Sequence, residues 1–124
     1  MANPNIASAT SVLAKNNQIS LTATTATQLV SNAASSGKVF LIDSIIVSNV
    51  DGTSACDVTV TRFQSATNTG TAFPIASTIA VPADASLIVV GKDNQINLTE
   101  NQSIYVTAGT ANDLVVDVNW KELS

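Results

Sequence analysis

Residues 38–63, KVFLIDSIIVSNVDGTSACDVTVTRF, constrain the fold more than any other stretch. Two β-rich runs flank Asp51-Gly52. On the first, Val39, Phe40, Leu41, Ile42, Ile45, Ile46 and Val47 crowd together. On the second, Val58 and Val60 alternate with Thr59 and Thr61. Alternation with period two marks a strand that buries one face. Asp-Gly followed by Thr and Ser supplies a turn, because glycine takes positive φ without steric cost. The stretch therefore predicts a central antiparallel hairpin on which the other strands pack. Its first arm breaks strict alternation around Asp43-Ser44. That break implies either cover on both sides or a bulge that shifts the pleat.

Strand signals recur along the rest of the chain. Residues 11–14 predict a short strand ending at Lys15-Asn16-Asn17, followed by a second with Ile19, Leu21 and Ala23 on one face. Residues 27–31 predict another, though 28–34 also suit one helical turn, and 32–37 predict a turn. Residues 65–73 read as a loop between Phe63 and Phe73. Pro74 begins a strand with Ile75, Ile79 and Val81, and Pro82 ends it or confines it to an edge. Residues 87–90 form an apolar run closed by Gly91, and residues 92–95 a turn. Ile96 and Leu98 mark a short strand, and Ile104, Val106 and Ala108 a longer one. After a turn at 109–113, Leu114, Val116, Val118 and Trp120 share one face, with Val115, Asp117, Asn119 and Lys121 on the other. Strands spaced every 8–12 residues or so predict an all-β chain, an antiparallel β-sandwich of eight to nine strands. Spacing does not separate a jelly roll from an immunoglobulin-like order. The 124 residues fit one domain, 11–124, preceded by a flexible arm, 1–10.

Charged residues are only 11% of the chain, about half the usual share. The polar surface is therefore Thr, Ser and Asn, which suits a β surface partly covered by partners. The net charge is −4, and the five bases (Lys15, Lys38, Arg62, Lys92, Lys121) are scattered. A nucleic-acid binder needs a concentrated basic face, so none is expected. No secretory signal and no apolar run long enough to cross a bilayer is present, so no membrane association is expected and synthesis is placed in a cytoplasm.

Chemistry is hard to place. Histidine is absent, which removes the commonest general base and metal ligand. Cys56 has no second cysteine for an intrachain disulfide and reads as a small apolar residue opening a strand. Asp113 with Asp117, or Asp51 with Asp57, would need about 5–9 Å between carboxylates for glycoside hydrolysis. As turn formers and a solvated outward residue they have a plainer explanation. The run NVDGTSACD lacks the closing Glu of a calcium loop. The glycosylation sequons at Asn97 and Asn101 read as chance. Trp120 reads as a core or interface plug rather than a sugar platform. No catalytic, cofactor-binding or metal residue is assigned, and no enzyme activity is expected.

The segments IDSIIVSNVDGTSACDVTV, VPADASLIVV and ENQSIYVTAGTANDLVVDVNW resemble small virion structural proteins of tailed bacteriophages, especially those of marine cyanobacteria. The resemblance covers roughly residues 38–122 and rests on Asn49-Val50-Asp51-Gly52, Pro82-Ala83-Asp84 and Ala111-Asn112-Asp113. It implies a non-enzymatic capsid decoration or cement protein in the virion, a homo-oligomer such as a trimer, bracing the major capsid protein by multivalent contacts. A neck, collar, tail or fibre module, or a carbohydrate-binding module of a host-recognition fibre, is the alternative. Contact regions expected on this reading are the N-terminal arm, the 65–73 loop and the outward face of strand 38–48.

Overall fold

The last strand shows most plainly how this chain makes sheet. In Leu114–Leu123, Leu114, Val116 and Val118 are buried while Val115, Asp117 and Asn119 lie on the other face, as alternation demands. The computed structural model describes residues 5–124, and among them nine strands form: β1 (Val12–Ser20), β2 (Thr27–Asn32), β3 (Val39–Asn49), β4 (Cys56–Phe63), β5 (Ala72–Val81), β6 (Ser86–Val90), β7 (Ile96–Leu98), β8 (Gln102–Ala108) and β9 (Leu114–Leu123). One-turn 3-10 helices occupy Ile6–Ser8 and Lys92–Asn94.

The strands build two antiparallel sheets. One runs β1-β9-β3-β6, with β7 beside β6 on the same edge of β3; the other runs β2-β8-β4-β5. Four ladders are nested: β4 pairs with β5, β3 with β6 and β7, β2 with β8, and β1 with β9. The chain is thus one long antiparallel ribbon with its tip at β4–β5. Rolling that ribbon brings β9 beside β3 and β8 beside β4, where two further ladders close the sheets. This is the jelly-roll order, with β6 and β7 together taking the place of one interrupted strand. The expected antiparallel sandwich is present, and the strand order settles the topology that spacing left open.

The core lies between the sheets. Phe40, Ile42, Ile45 and Val47 of β3 and Val116 and Val118 of β9 meet Val58, Val60, Ile104 and Val106 from the opposite sheet. The β3–β9 register slips between Ile42 and Ser44. The extra residue, Asp43, is the bulge that the broken alternation implied. It moves the buried set from Phe40 and Ile42 to Ile45, Val47 and Asn49.

The central hairpin does not form. β3 and β4 lie in opposite sheets, because β9 occupies one edge of β3 and β6 with β7 the other. Residues 50–55 therefore cross the sandwich instead of turning back within a sheet. Asn49, buried at this corner, holds the crossing. Its Nδ2 donates to Ser54 O and Val81 O, each at 2.9 Å, and its Oδ1 accepts from Asp51 N at 2.9 Å. Gly52 does not adopt positive φ; Asp84, whose N–H donates to Asp51 O at 3.2 Å, does so instead, at φ 56°.

Three smaller expectations are also settled. Lys15-Asn16-Asn17 does not interrupt the first strand, which keeps unbroken register with β9 from Val12 to Ser20. As an edge strand exposed along most of its length, β1 has no buried face there for polar residues to disturb. The strand expected over 27–31 forms, as β2, and the alternative helical turn over 28–34 does not. Strand β5 begins at Ala72, so Pro74 lies inside it, which an edge position allows; Val81 is its last residue before Pro82.

Asn49→Ala would leave two carbonyls and one N–H without their partner. Unfolding in urea is expected to show a loss of about 3 kcal/mol. Asn16→Ala on the exposed edge is expected to stay within about 0.5 kcal/mol of the parent.

Candidate assembly surface

Each sheet has two edges, and their exposed apolar residues set the character of the surface. On one side of the sandwich lie the outer edges of β5 and β6. Here Phe73, Ile75 and Ile79 on β5 and Ile88 on β6 are exposed, Ile88 at 66%. Ile88 stands opposite Ile46 on the outer face of its sheet, beside a Ser48–Ser86 hydroxyl contact at 2.9 Å. On the other side lie β1 and β2. Val12 and Leu13, 59% and 50% exposed, sit at the start of β1, close in sequence to exposed Ile6. Val50 is exposed on the crossing loop.

Three of the four edges have an irregular or interrupted backbone, which discourages strand pairing, and the fourth, β1, carries one edge lysine, Lys15. β5 contains Pro74 and two register slips, with Thr78 at φ 45°. β6 and β7 are separated by residues 91–95. β2 slips register between Gln28 and Val30. β1 has no slip, no proline and no glycine over nine residues.

The expected contact regions are placed as follows. Residues 1–4 of the arm lie outside the described residues. In the remainder, Asn5 Oδ1 accepts from Ala7 N at 3.0 Å, and Thr10 N and Ser11 N donate to Ser124 O at 2.8 and 3.0 Å. Of the expected 65–73 loop, Ala72 and Phe73 open β5, and residues 65–71 fold back over the β2–β8 end of their sheet. Ser103 Oγ lies 2.7 Å from Ser65 O and 3.2 Å from Thr67 O, and Ser31 Oγ donates to Ala66 O at 2.7 Å. Asn101 Oδ1 accepts from Ala66 N at 3.1 Å. Ser103 is fully buried for this reason, although it lies on the outer face of its strand. On the outward face of β3, Leu41 and Ile46 are half-buried, and Lys121 Nζ pairs with Asp43 at the bulge.

The residues weighed for chemistry are dispersed. Asp113 precedes β9 and its carbonyl accepts from Val50 N, whereas Asp117 lies four residues on and accepts from Gln18 Nε2 at 3.0 Å. That spacing along extended chain separates their Cα atoms by about 13 Å. Asp51 Oδ1 accepts from Thr53 N and Thr53 Oγ1, closing a local turn. Cys56 is 2% exposed at the start of β4, with Sγ 3.6 Å from Asp57 O and 3.8 Å from Thr110 O. Trp120 is half-buried and stacks on Phe40 at 6.1 Å, while its Nε1 donates to Glu122 Oε2 at 3.3 Å. Sequence reasoning did not single out Arg62. Its Nη2 donates to Asn97 O at 2.8 Å, and burial lowers its pKa from the ordinary value. Among the described residues no surface pocket is present, and no group of three or more His, Cys, Asp or Glu is placed to hold a metal.

The motifs behind the phage resemblance meet at one end of the sandwich. Asn49 N donates to Ala85 O at 2.8 Å, Asp84 N to Asp51 O at 3.2 Å, Val50 N to Asp113 O at 2.7 Å, and Asn112 N to Leu21 O at 2.8 Å. They are stitches between loops of a rolled ribbon.

No family model matches the chain, and no curated protein matches it. Among solved structures, a chain of Bacillus endospore appendages, described as a novel family of disulfide-linked pili, is similar over 100% of this chain and 96% of its own, with a TM-score of 0.55 and 18% identity. That likeness is one of fold. It corrects the expectation of a virion decoration protein bound to a major capsid protein, because the full-length counterpart is a pilus component rather than a phage shell protein. The motifs that suggested phage serve the loop geometry at one end of the sandwich.

Ser103→Ala removes the hydroxyl that holds the 65–71 segment down. Limited proteolysis is expected to cut within 65–71 several times faster than in the parent, with a loss of about 1–2 kcal/mol in urea.

Proposed function

We propose that this chain is a non-catalytic structural subunit that assembles with copies of itself into an appendage-type filament. The observation that carries this reading is the full-length likeness to the endospore-appendage pilus chain. The surface supports it. Charge is sparse, both sides of the sandwich expose apolar side chains, and one long sheet edge runs without proline, glycine or register slip, with Lys15 as its one charge.

One property sets this chain apart from disulfide-linked pili. Its 124 residues contain a single cysteine, and Cys56 is buried against the backbone of Asp57 and Thr110. One thiol per subunit links at most two subunits, so these residues cannot supply a continuous run of disulfides. Cohesion on this reading is non-covalent, with many weak contacts acting together.

Negative-stain microscopy of the concentrated purified chain is expected to show filaments of uniform width. Reductant and the Cys56→Ser variant are expected to leave their yield and length unchanged. A protein that sediments as a monomer at every concentration reached would overturn the reading.

A further inference from the structure

The proposed self-assembly leaves open which surface joins the subunits, and the backbone of β1 bears on that directly. Ser11 and Ser124 exchange two hydrogen bonds, each 3.0 Å, and Leu21 N donates to Leu114 O at 2.9 Å. Both pairs share the register of the β1–β9 ladder. Hydrogen-bonded pairs recur every second residue in an antiparallel ladder, so the odd-numbered residues from 11 to 21 direct N–H and C=O toward β9. Val12, Ala14, Asn16, Gln18 and Ser20 therefore direct theirs away from it, and all five residues are exposed.

We propose that β1 pairs antiparallel with β1 of a second copy, about a two-fold axis through Asn16, joining two sheets into one. This rests on the self-assembly reading above. The register follows from three observations. An antiparallel partner must set hydrogen-bonding residues opposite hydrogen-bonding residues, and a dyad at Asn16 sets Val12 against Ser20, Ala14 against Gln18 and Asn16 against itself. All five outward residues are then used, for about ten hydrogen bonds. On the inner side, exposed Leu13 of each copy meets half-buried Ile19 of the other, which covers an apolar residue that the single chain leaves in water. Charge is also accommodated. Lys15 is the one charged residue of β1, and this register places it opposite Asn17, with the two lysines offset diagonally by about 7–8 Å.

The other edges are poor partners for β1, being broken by Pro74, by register slips or by the 91–95 interruption. A dyad-related copy of β1 presents the same regular edge.

A disulfide across the axis tests the register, with Cys56→Ser as background. Asn16→Cys sets two sulfurs at a directly opposed pair, with Cα atoms about 5.5 Å apart, within disulfide reach. Mild oxidation of this variant is expected to give a dimer on a non-reducing gel. Lys15→Cys, displaced from its own copy, is expected to stay monomeric on the same gel. Ala14→Pro provides a second test, because it removes only an outward N–H and leaves the β1–β9 ladder intact. Its association in sedimentation velocity is expected to weaken on the order of tenfold or more. Filaments or oligomers that form without Asn16→Cys cross-linking, or that cross-link equally through Lys15→Cys, would overturn β1 pairing while leaving self-assembly standing. Cross-linked dimers without any filament would uphold the pairing and remove the filament.

Discussion

Ten paired positions between β3 and β9 hold this molecule together. The two strands are the middle of one sheet, and each needs the other to satisfy a row of backbone groups buried from water. Their inward residues, Ile42, Ile45 and Val47 on one strand and Val116 and Val118 on its neighbour, form the floor on which the second sheet packs. The ladder also explains what Asp43 is doing. A one-residue slip would turn every side chain of a strand to the wrong face. The bulge uses that geometry once, deliberately placed, so that Phe40 with Ile42 and Ile45 with Val47 all reach the same core. Paired with Lys121 and accepting from Gln95 Nε2 at 2.6 Å, Asp43 stays at the surface where its charge is solvated.

Much of this was readable from residue order. The last strand showed clean alternation, Asp43-Ser44 marked the bulge, Pro82 marked a strand end and Cys56 read correctly as an apolar residue. These signals are local: each depends on which faces of one strand meet water. The failed hairpin was a question of partner choice. Val39–Asn49 and Cys56–Phe63 both look like good strands separated by a good turn, and nothing local says that the first already has both edges filled. Asn49 carried the missing information, but a buried asparagine that fastens a crossing between sheets looks in sequence like any turn residue. β1 was misjudged for the opposite reason. Its lysine and asparagines suggested a break, whereas an edge strand with little burial imposes no alternation at that point.

The surface was legible only in outline. A sparse ionic coat pointed to a chain that is held by other subunits, and that reading of the composition still supports assembly. Asp51-Gly52, Pro82-Ala83-Asp84 and Asn112-Asp113 lie in loops that hydrogen-bond to one another at one end of the sandwich, a grouping that sequence order does not display. Hydrogen-bond parity along β1 was likewise invisible, because it depends on which residues of β9 stand opposite and not on side-chain type.

The nested ladders bear on the order in which the molecule comes into being. The ribbon tip, β4 with β5, joins residues close in sequence, while β1 and β9 join Val12 to Leu123. β9, at the centre of its sheet, is made after the other eight described strands. Such long-range closure is slow, and until residue 123 has emerged β3 and β1 lack the neighbour they share. Folding of this sheet is therefore completed only after β9 has been made, and until then the edge of β3 that β9 covers stands open.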